Sequence, residues 1–155
     1  SRRRLAVLRN NMTTNRRTHF TVSGVPVAQP RHRVTRFGAF VPKGHPIHGY
    51  KQAVLLAWQS LPAVYGEPMP GAVSVGLTFW FPRPAAKVWK TKPMLAEVKT
   101  TKPDLDNLAK GVLDALQHHA FGDDSQVVEL RLSKWIVRGG ALPRTEITIT
   151  DEQKH

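Results

Sequence analysis

The sequence predicts a single α+β domain in which two helices pack on a mixed β-sheet, in the order β-α-β-α-β-β. Three observations support this prediction. The chain has 155 residues, a length that suits one domain, and it contains no internal repeat. Apolar residues alternate along residues 72–81, which is typical of a strand. Apolar residues recur at helical spacing along residues 104–118, which is typical of an amphipathic helix.

The amino-terminal region differs in composition from the rest of the chain. Residues 1–17 contain six arginines and no apolar periodicity, and they predict a flexible basic arm. Residues 18–155 are predicted to form the folded domain. Met12 is expected to be the native start, so residues 1–11 are interpreted as vector-derived or upstream sequence.

The first half of the domain predicts one strand and one helix. Residues 19–25 have the composition of a short strand, and the Pro- and Gly-rich residues 26–46 predict a loop or an irregular hairpin with residues 39–41 extended. Residues 48–61 predict a helix that Pro62 ends. Its apolar positions at helical spacing are Tyr50, Val54, Leu55, Trp58 and Leu61.

The second half predicts three strands and the strongest helix. Residues 72–81 form the first of these strands, and residues 82–103 read as a long basic loop. The helix at residues 104–118 presents an apolar stripe, and residues 127–137 read as a strand. Gly139 and Gly140 predict a hairpin turn into a closing strand at residues 144–150.

Charge and composition narrow the class of protein. The formal net charge is +12, and no acidic residue occurs before Glu67, which favours a polyanionic partner such as nucleic acid. The absence of cysteine excludes a disulfide scaffold and a thiolate metal site. No apolar run approaches the roughly 20 residues of a membrane span, so neither a membrane partner nor a membrane location is expected. Phosphate-loop and dinucleotide-binding motifs are missing, so no nucleotide cofactor is expected.

Six acidic residues are gathered between residues 104 and 129 of this basic chain. Asp104 and Asp106 stand at the first turn of the predicted helix, and the spacing from Asp106 to Lys110 places both on one helix face. Taken alone, such a pattern more often reflects helix capping and an ordinary surface ion pair than catalysis. The adjacent Asp123 and Asp124 are harder to explain in this way, because aspartate is depleted in strands.

Carboxylates that lie close together in space need a cation to offset their negative charges. Three of them in one pocket cannot all stay ionised without one, and oxygen-only ligands suit Mg²⁺ or Mn²⁺. Two interpretations therefore stay open at this point: a metal-dependent enzyme acting on nucleic acid, and a non-catalytic nucleic-acid-binding module whose aspartates only cap a helix.

Three blocks of sequence resemble a known signature. Residues 102–110 read KPDLDNLAK, residues 113–116 read LDAL, and residues 123–128 read DDSQVV. In this order and spacing they resemble the core signature of the RusA-type Holliday junction resolvases. Weaker similarity, at residues 24–33, 79–84 and 144–150, extends the resemblance over most of residues 20–150.

The resemblance implies a site and a reaction. It makes Asp104, Asp106 and Asp124 the metal ligands and Lys110 the catalytic lysine, with Mg²⁺ or Mn²⁺ as the cofactor. Asp123 and Asn107 become supporting positions beside the ligands. It also implies a homodimer that nicks opposed strands of a four-way DNA junction in recombination and repair, leaving 5′-phosphate ends. A cytoplasmic location, in a bacterium or a phage-infected host, follows from the same resemblance.

The basic residues of the loops are the expected DNA contacts. Two groups are involved: Arg31, Arg33 and Arg36 in the first loop, and Lys87, Lys90, Lys92, Lys99 and Lys102 in the second. Trp89 is expected to stack on bases, and Trp135 to lie in the core. The sequence leaves open whether a nuclease of this chemistry would act on junctions, flaps or forks.

Overall fold

The computed structural model describes residues 16–30, 33–36, 38–62 and 67–152, with the backbone alone described at 33–35 and 39–40. Most of the predicted basic arm lies outside these residues. Seven strands and two α-helices follow one another along the described chain: β1 Arg17–Ser23, β2 Arg33–Thr35, β3 Gly38–Phe40, α1 Ile47–Gln59, β4 Val73–Phe81, β5 Glu97–Val98, α2 Leu105–Leu116, β6 Val127–Ile136 and β7 Arg144–Asp151. Short 3₁₀ turns occur at Ala85–Lys87 and Asp124–Gln126.

Five of the strands form one mixed sheet in the order β1-β7-β4-β6-β5. Strands β4 and β6 are parallel neighbours, whereas every other pair in this sheet is antiparallel. Strands β2 and β3 form a separate two-stranded antiparallel pair, so the irregular-hairpin alternative for residues 26–46 is confirmed. The predicted α+β class with two helices is confirmed as well.

Strand β4 is central because its residues are apolar on the helix-covered face and small or aromatic on the other. Val73, Val75, Leu77 and Phe79 are at most 1% exposed. They meet the buried residues Ile147 and Ile149 of β7 and the inner faces of both helices. Full burial of each such side chain contributes roughly 1.5–3 kcal/mol, so this face supplies most of the core.

Both helices lie on the same face of the sheet. Helix α1 packs on α2 and on β1, and α2 also contacts β6. The predicted apolar stripe of α2 is buried at Leu108, Val112 and Leu116, which leaves Asp106, Lys110 and Asp114 exposed. Packing of α2 beside β6 therefore presents these polar residues at the edge of the sheet. No helix within the described residues is long and apolar enough to cross a membrane.

Two predictions about the second half of the fold were wrong. Strands β6 and β7 do not form a hairpin around Gly139 and Gly140, because β4 lies between them in the sheet. The reason is that β4 is buried almost throughout and so takes the centre, with a partner on each side. Trp135 does not lie in the core: it is half-buried and stacks on Trp80, with ring centroids 5.8 Å apart.

The basic loop, residues 82–103, has more structure than the sequence predicted. Its segment Glu97–Val98 adds β5 to the edge of β6. The guanidinium of Arg83, whose side chain is only 5% exposed, donates to the carbonyl oxygens of Lys87, Leu95 and Val137 and to the Glu97 carboxylate. This buried cation holds the loop against the end of the sheet, because its hydrogen bonds join two parts of the loop to the residue that follows β6.

Candidate active site

A cleft of about 290 Å³ opens between helix α2 and strand β6. We call it the carboxylate cleft. Its lining consists of three aspartates, one lysine and an apolar floor: Asp106, Asp114, Asp124, Lys110, Ala109, Leu113, Leu130 and Leu132. The larger cavity of about 620 Å³, beside Trp58 and His118, contains a single carboxylate, that of Glu67. Three of the six acidic residues between residues 104 and 129 therefore line the carboxylate cleft.

Helix α2 supplies three of the polar residues from one face. Asp106, Lys110 and Asp114 follow one another at four-residue intervals, so their side chains project along the same side of the helix. Asp106 lies in the first turn, where the positive end of the helix dipole favours a negative charge. Asp114 also pairs with Lys51 of α1, at 3.7 Å between Nζ and Oδ2.

Asp104 occupies the N-cap of α2 but does not line the carboxylate cleft. Its side chain is exposed and makes no capping hydrogen bond. The preceding backbone is fixed by Lys134 of β6, whose ammonium donates to the carbonyl oxygens of Thr101, at 2.6 Å, and Pro103, at 2.7 Å. The Lys102–Pro103 peptide bond is cis. The structure thus brings together Asp106 and Asp124, but not Asp104, among the predicted ligands.

A tight turn before β6 places Asp124. Asp123 caps this turn by accepting a hydrogen bond from the Ser125 amide, at 3.2 Å. The Gln126 side chain accepts from the amides of Gly122 and Asp123, and it donates to the carbonyl oxygens of Met69 and Gly71. Gln126 therefore ties the turn to the segment that leads into β4. This reciprocal capping arrangement fixes the direction in which Asp124 leaves the chain.

The pKa values of the two adjacent carboxyl groups are shifted in opposite directions. A hydrogen bond between them lowers the pKa of Asp123, which the Ser125 amide lowers further. The same hydrogen bond raises the pKa of Asp124, and the negative charges of Asp123 and Asp114 add to the rise. Asp124 is therefore the member that holds the proton more readily, and it does so inside an acidic environment.

The donor chemistry of the cleft fits a divalent cation. Its aspartates offer only oxygen atoms, which suit Mg²⁺ and Mn²⁺, and their mutual repulsion at Asp124 is the kind that a bound cation relieves. In the part of the chain that the structure describes, no three acidic or histidine side chains stand close enough to enclose a metal ion. The ligand set of Asp104, Asp106 and Asp124 therefore stays a prediction.

The predicted DNA-binding cations divide into different environments. Arg31 lies outside the described residues, as does the side chain of Arg33, whereas Arg36 is exposed in the turn between β2 and β3. In the basic loop, Lys87 pairs with Glu97, and Lys99 donates to Thr101 and lies 5.1 Å from the ring centre of Phe81. The remaining loop lysines, Lys90, Lys92 and Lys102, are exposed.

Trp89 is less available for base stacking than the sequence suggested. Its ring lies 5.2 Å from the Arg83 guanidinium carbon and 5.5 Å from the Lys92 ammonium. Both are cation–π distances, and the ring is half-buried. Trp89 therefore helps to hold the basic loop together.

Three residues of this region had no predicted role at the site. Two of them occur in sequence motifs, and the third does not. Asp114 has only a place in the LDAL block of the sequence, although it lines the cleft. Gln126 belongs to the DDSQV block, and its capping role has a sequence signal in the spacing of Asp123 and Gln126. Lys134 has no such signal, because its partners lie more than thirty residues away in sequence.

An acidic, lysine-containing cleft on a strongly basic chain combines oxygen ligands for a divalent cation with a surface that attracts a polyanion, as a metal-dependent enzyme acting on nucleic acid requires. Comparison with known proteins gives the family: the model described as Endodeoxyribonuclease RusA matches residues 23–150. The chain belongs to the RusA endodeoxyribonuclease family. The uncharacterized protein YqaN of Bacillus subtilis (strain 168) is similar, with 39% identity over 140 residues, which are 85% of this chain and 94% of that protein.

Family membership confirms the resemblance noted in the sequence. It indicates an endodeoxyribonuclease, and it supports action on branched DNA as a Holliday junction resolving enzyme. The match includes every residue of the carboxylate cleft, from Asp106 to Leu132.

Proposed function

We propose that this protein resolves four-way DNA junctions as a homodimeric, Mg²⁺- or Mn²⁺-dependent endonuclease that makes paired symmetric nicks and leaves 5′-phosphate ends. One observation carries the proposal: in a RusA-family chain, Asp106, Asp114, Asp124 and Lys110 line a single cleft. A net charge of +12 gives such a protein a strong general attraction to DNA.

The residues of the cleft have distinct roles in this proposal. Asp106 and Asp124 would hold the cation, and Asp104, at the N-cap of α2, is the third predicted ligand. When bound, a divalent cation supplies a water of lowered pKa and neutralises part of the phosphate charge. Lys110 is exposed on the same wall of the cleft, where its ammonium stabilises negative charge that develops on the phosphate oxygens.

Symmetry links the site to the substrate. A two-fold dimer carries two identical sites, and a four-way junction carries two equivalent strands related by the same kind of axis. The exposed cations of the first loop and of the basic loop would hold the junction arms through phosphate contacts, without reading base sequence.

The test is cleavage of a mobile four-way junction with labelled strands, in Mg²⁺ or Mn²⁺, beside a linear duplex of the same sequence. We expect paired nicks in opposed strands of the junction and none in the duplex. Asp106→Asn is expected to abolish nicking while junction binding survives. Lys110→Met is expected to slow nicking on the order of a hundredfold. Glu67→Gln, an exposed acid outside the carboxylate cleft, serves as the matched control.

Three other outcomes would change the proposal. Junction binding without nicking in either metal would indicate a non-catalytic binding module. Cuts in flaps or forks with an intact junction would keep the chemistry and replace the substrate. Equal loss of binding and nicking in Asp106→Asn would show that this residue has a structural role.

A further inference from the structure

Strand β6 has an open edge beside the carboxylate cleft. Among the described residues, the only strand on this side of β6 is β5, which pairs with Trp135 and Ile136 alone. The segment from Val128 to Ser133 therefore presents backbone groups that no described strand pairs with, which are a template for another strand.

Apolar side chains lie along this open segment. Val128 is 65% exposed and Leu130 is 39% exposed, although both belong to a strand of the central sheet. Leu130 lies beside Val75 and Leu132 beside Leu77 in the parallel register with β4, so both leucines face the helix-covered side. The apolar floor of the carboxylate cleft thus continues to the edge of the sheet.

Two opposite charges stand on the other side of the same segment. Glu129 and Arg131 are two residues apart and pair at 3.2 Å, with side chains 55% and 78% exposed. A like-charged edge repels a second copy of itself, and proteins use such edges to prevent association. An alternation of opposite signs does the reverse: in an antiparallel pair centred on Leu130, Glu129 of each copy lies opposite Arg131 of the other.

We infer that the open edge of β6 is the dimerisation surface and that its partner is a second copy of this chain, paired antiparallel about Leu130. The pairing is self-complementary in both properties: charges of opposite sign meet on one face of the sheet, and Leu130 meets Leu130 on the other. It joins the two five-stranded sheets into one continuous sheet. This inference specifies the interface of the homodimer in the proposed function, on which it rests.

The pairing also determines how the two clefts are related. A two-fold axis normal to the sheet keeps the helix-covered faces of both copies on the same side. Both carboxylate clefts then open toward that side of the sheet. They lie on either side of the axis, and the β6 strands that border them run in opposite directions. Two clefts related in this way match the two equivalent strands of a four-way junction, which are also related by a two-fold axis.

Cross-linking tests the interface directly, because the chain contains no cysteine. Leu130→Cys places one thiol of each copy at the axis, whereas Leu142→Cys places it on a residue that is 78% exposed and lies outside β6, in the connection to β7. Under mild oxidation at micromolar concentration, we expect Leu130→Cys to form a disulfide-linked dimer at least about tenfold faster than Leu142→Cys, since preassociation raises the effective thiol concentration.

Exchange of the charges at residues 129 and 131 provides a second test, and its result is specific to pairing through this edge of β6. Glu129→Arg and Arg131→Glu each set like charges against one another in a homodimer, and we expect each to weaken self-association about tenfold in analytical ultracentrifugation. Mixing the two variants sets opposite charges together again, so a 1:1 heterodimer should form with near wild-type affinity. Circular dichroism checks that both variants are folded.

The outcomes separate this inference from the proposed function. A wild-type dimer that nicks junctions but whose Leu130→Cys variant cross-links no faster than Leu142→Cys would place the interface elsewhere. A wild-type protein that sediments as a monomer at all concentrations would also overturn the inference. Rapid cross-linking at residue 130 without junction nicking would leave the interface standing and refute the proposed function.

Discussion

The ammonium of Lys134 donates a hydrogen bond of 2.7 Å to the carbonyl oxygen of Pro103, the residue that precedes Asp104. A second bond, to the Thr101 carbonyl at 2.6 Å, comes from the same nitrogen. Strand β6 thereby fixes the backbone at the entrance to helix α2. The two walls of the carboxylate cleft are joined at this point by one side chain.

Lys134→Met is expected to loosen that connection. The loss of charge-assisted hydrogen bonds should lower the free energy of unfolding by about 1–3 kcal/mol, measured by urea denaturation. Junction nicking should fall further than this loss of stability explains, because Asp104 and Asp106 would be less well placed. Lys134→Arg should recover part of the rate. Lys43→Met, at an exposed lysine outside the carboxylate cleft, is the control, and equal nicking by both methionine variants would contradict a positioning role.

Asp123→Asn is expected to lower the pKa of Asp124. The substitution removes a negative charge, and the new amide can donate to the Asp124 carboxylate, so both changes favour the ionised form. Carboxyl ¹³C chemical shifts followed against pH measure the effect. Asp114→Asn should lower the same pKa by a smaller amount, since its charge is a minor cause of the rise. An unchanged Asp124 titration in Asp123→Asn would show that the two carboxyl groups do not share a hydrogen bond.

Glu97 should make stability depend on pH in the acid range. Its pKa is lowered from the ordinary value of 4.5, chiefly by the hydrogen bond from Lys87 and further by Arg83. A carboxyl with a depressed pKa stabilises the fold above its unfolded-state value and loses that contribution as the pH falls. Glu97→Gln should therefore be less stable than the wild type at pH 7, with the difference shrinking below pH 4.5. Denaturation curves across this range test it, and a constant difference would refute it.

His118 is the one non-glycine residue in the described chain with a positive φ, at 71°. It follows the carboxyl end of helix α2, where glycine is the usual residue because it lacks a Cβ. His118→Gly should raise the free energy of unfolding by about 0.5–1 kcal/mol, which is the cost of the left-handed conformation less the added chain entropy of glycine. His119→Gly, at an ordinary φ, should destabilise instead, and thermal unfolding of the pair compares them directly.

The sequence predicted the parts of the fold that depend on local pattern. The alternation in Val73–Phe81 and the apolar stripe of Leu105–Leu116 each determine which face is buried, and both elements formed where the pattern placed them. Strand order could not be predicted in this way. The hairpin expected at Gly139–Gly140 fits local turn chemistry, but the burial requirement of β4 decides which strands become neighbours.

The candidate site also combines features that follow from local pattern with features that depend on tertiary contacts. Asp106 and Lys110 lie on one face through helix spacing alone, whereas the approach of Asp124 depends on the parallel pairing of β4 and β6. The position of Asp104 outside the cleft lining depends on the path of residues 101–103, which long-range hydrogen bonds to Lys134 determine. Local pattern therefore identified the chemical groups, and tertiary contacts determine which of them meet.

The parallel pairing of β4 and β6 has a consequence for the order of folding. Every residue that lines the carboxylate cleft ahead of β6, from Asp106 to Asp124, lies in the crossover between these two strands, residues 82–126. Closing a loop of that length costs chain entropy before any strand contact repays it. Strand β6 should therefore join β4 late in folding, so the wall of the cleft that β6 supplies forms after helix α2 has supplied the other.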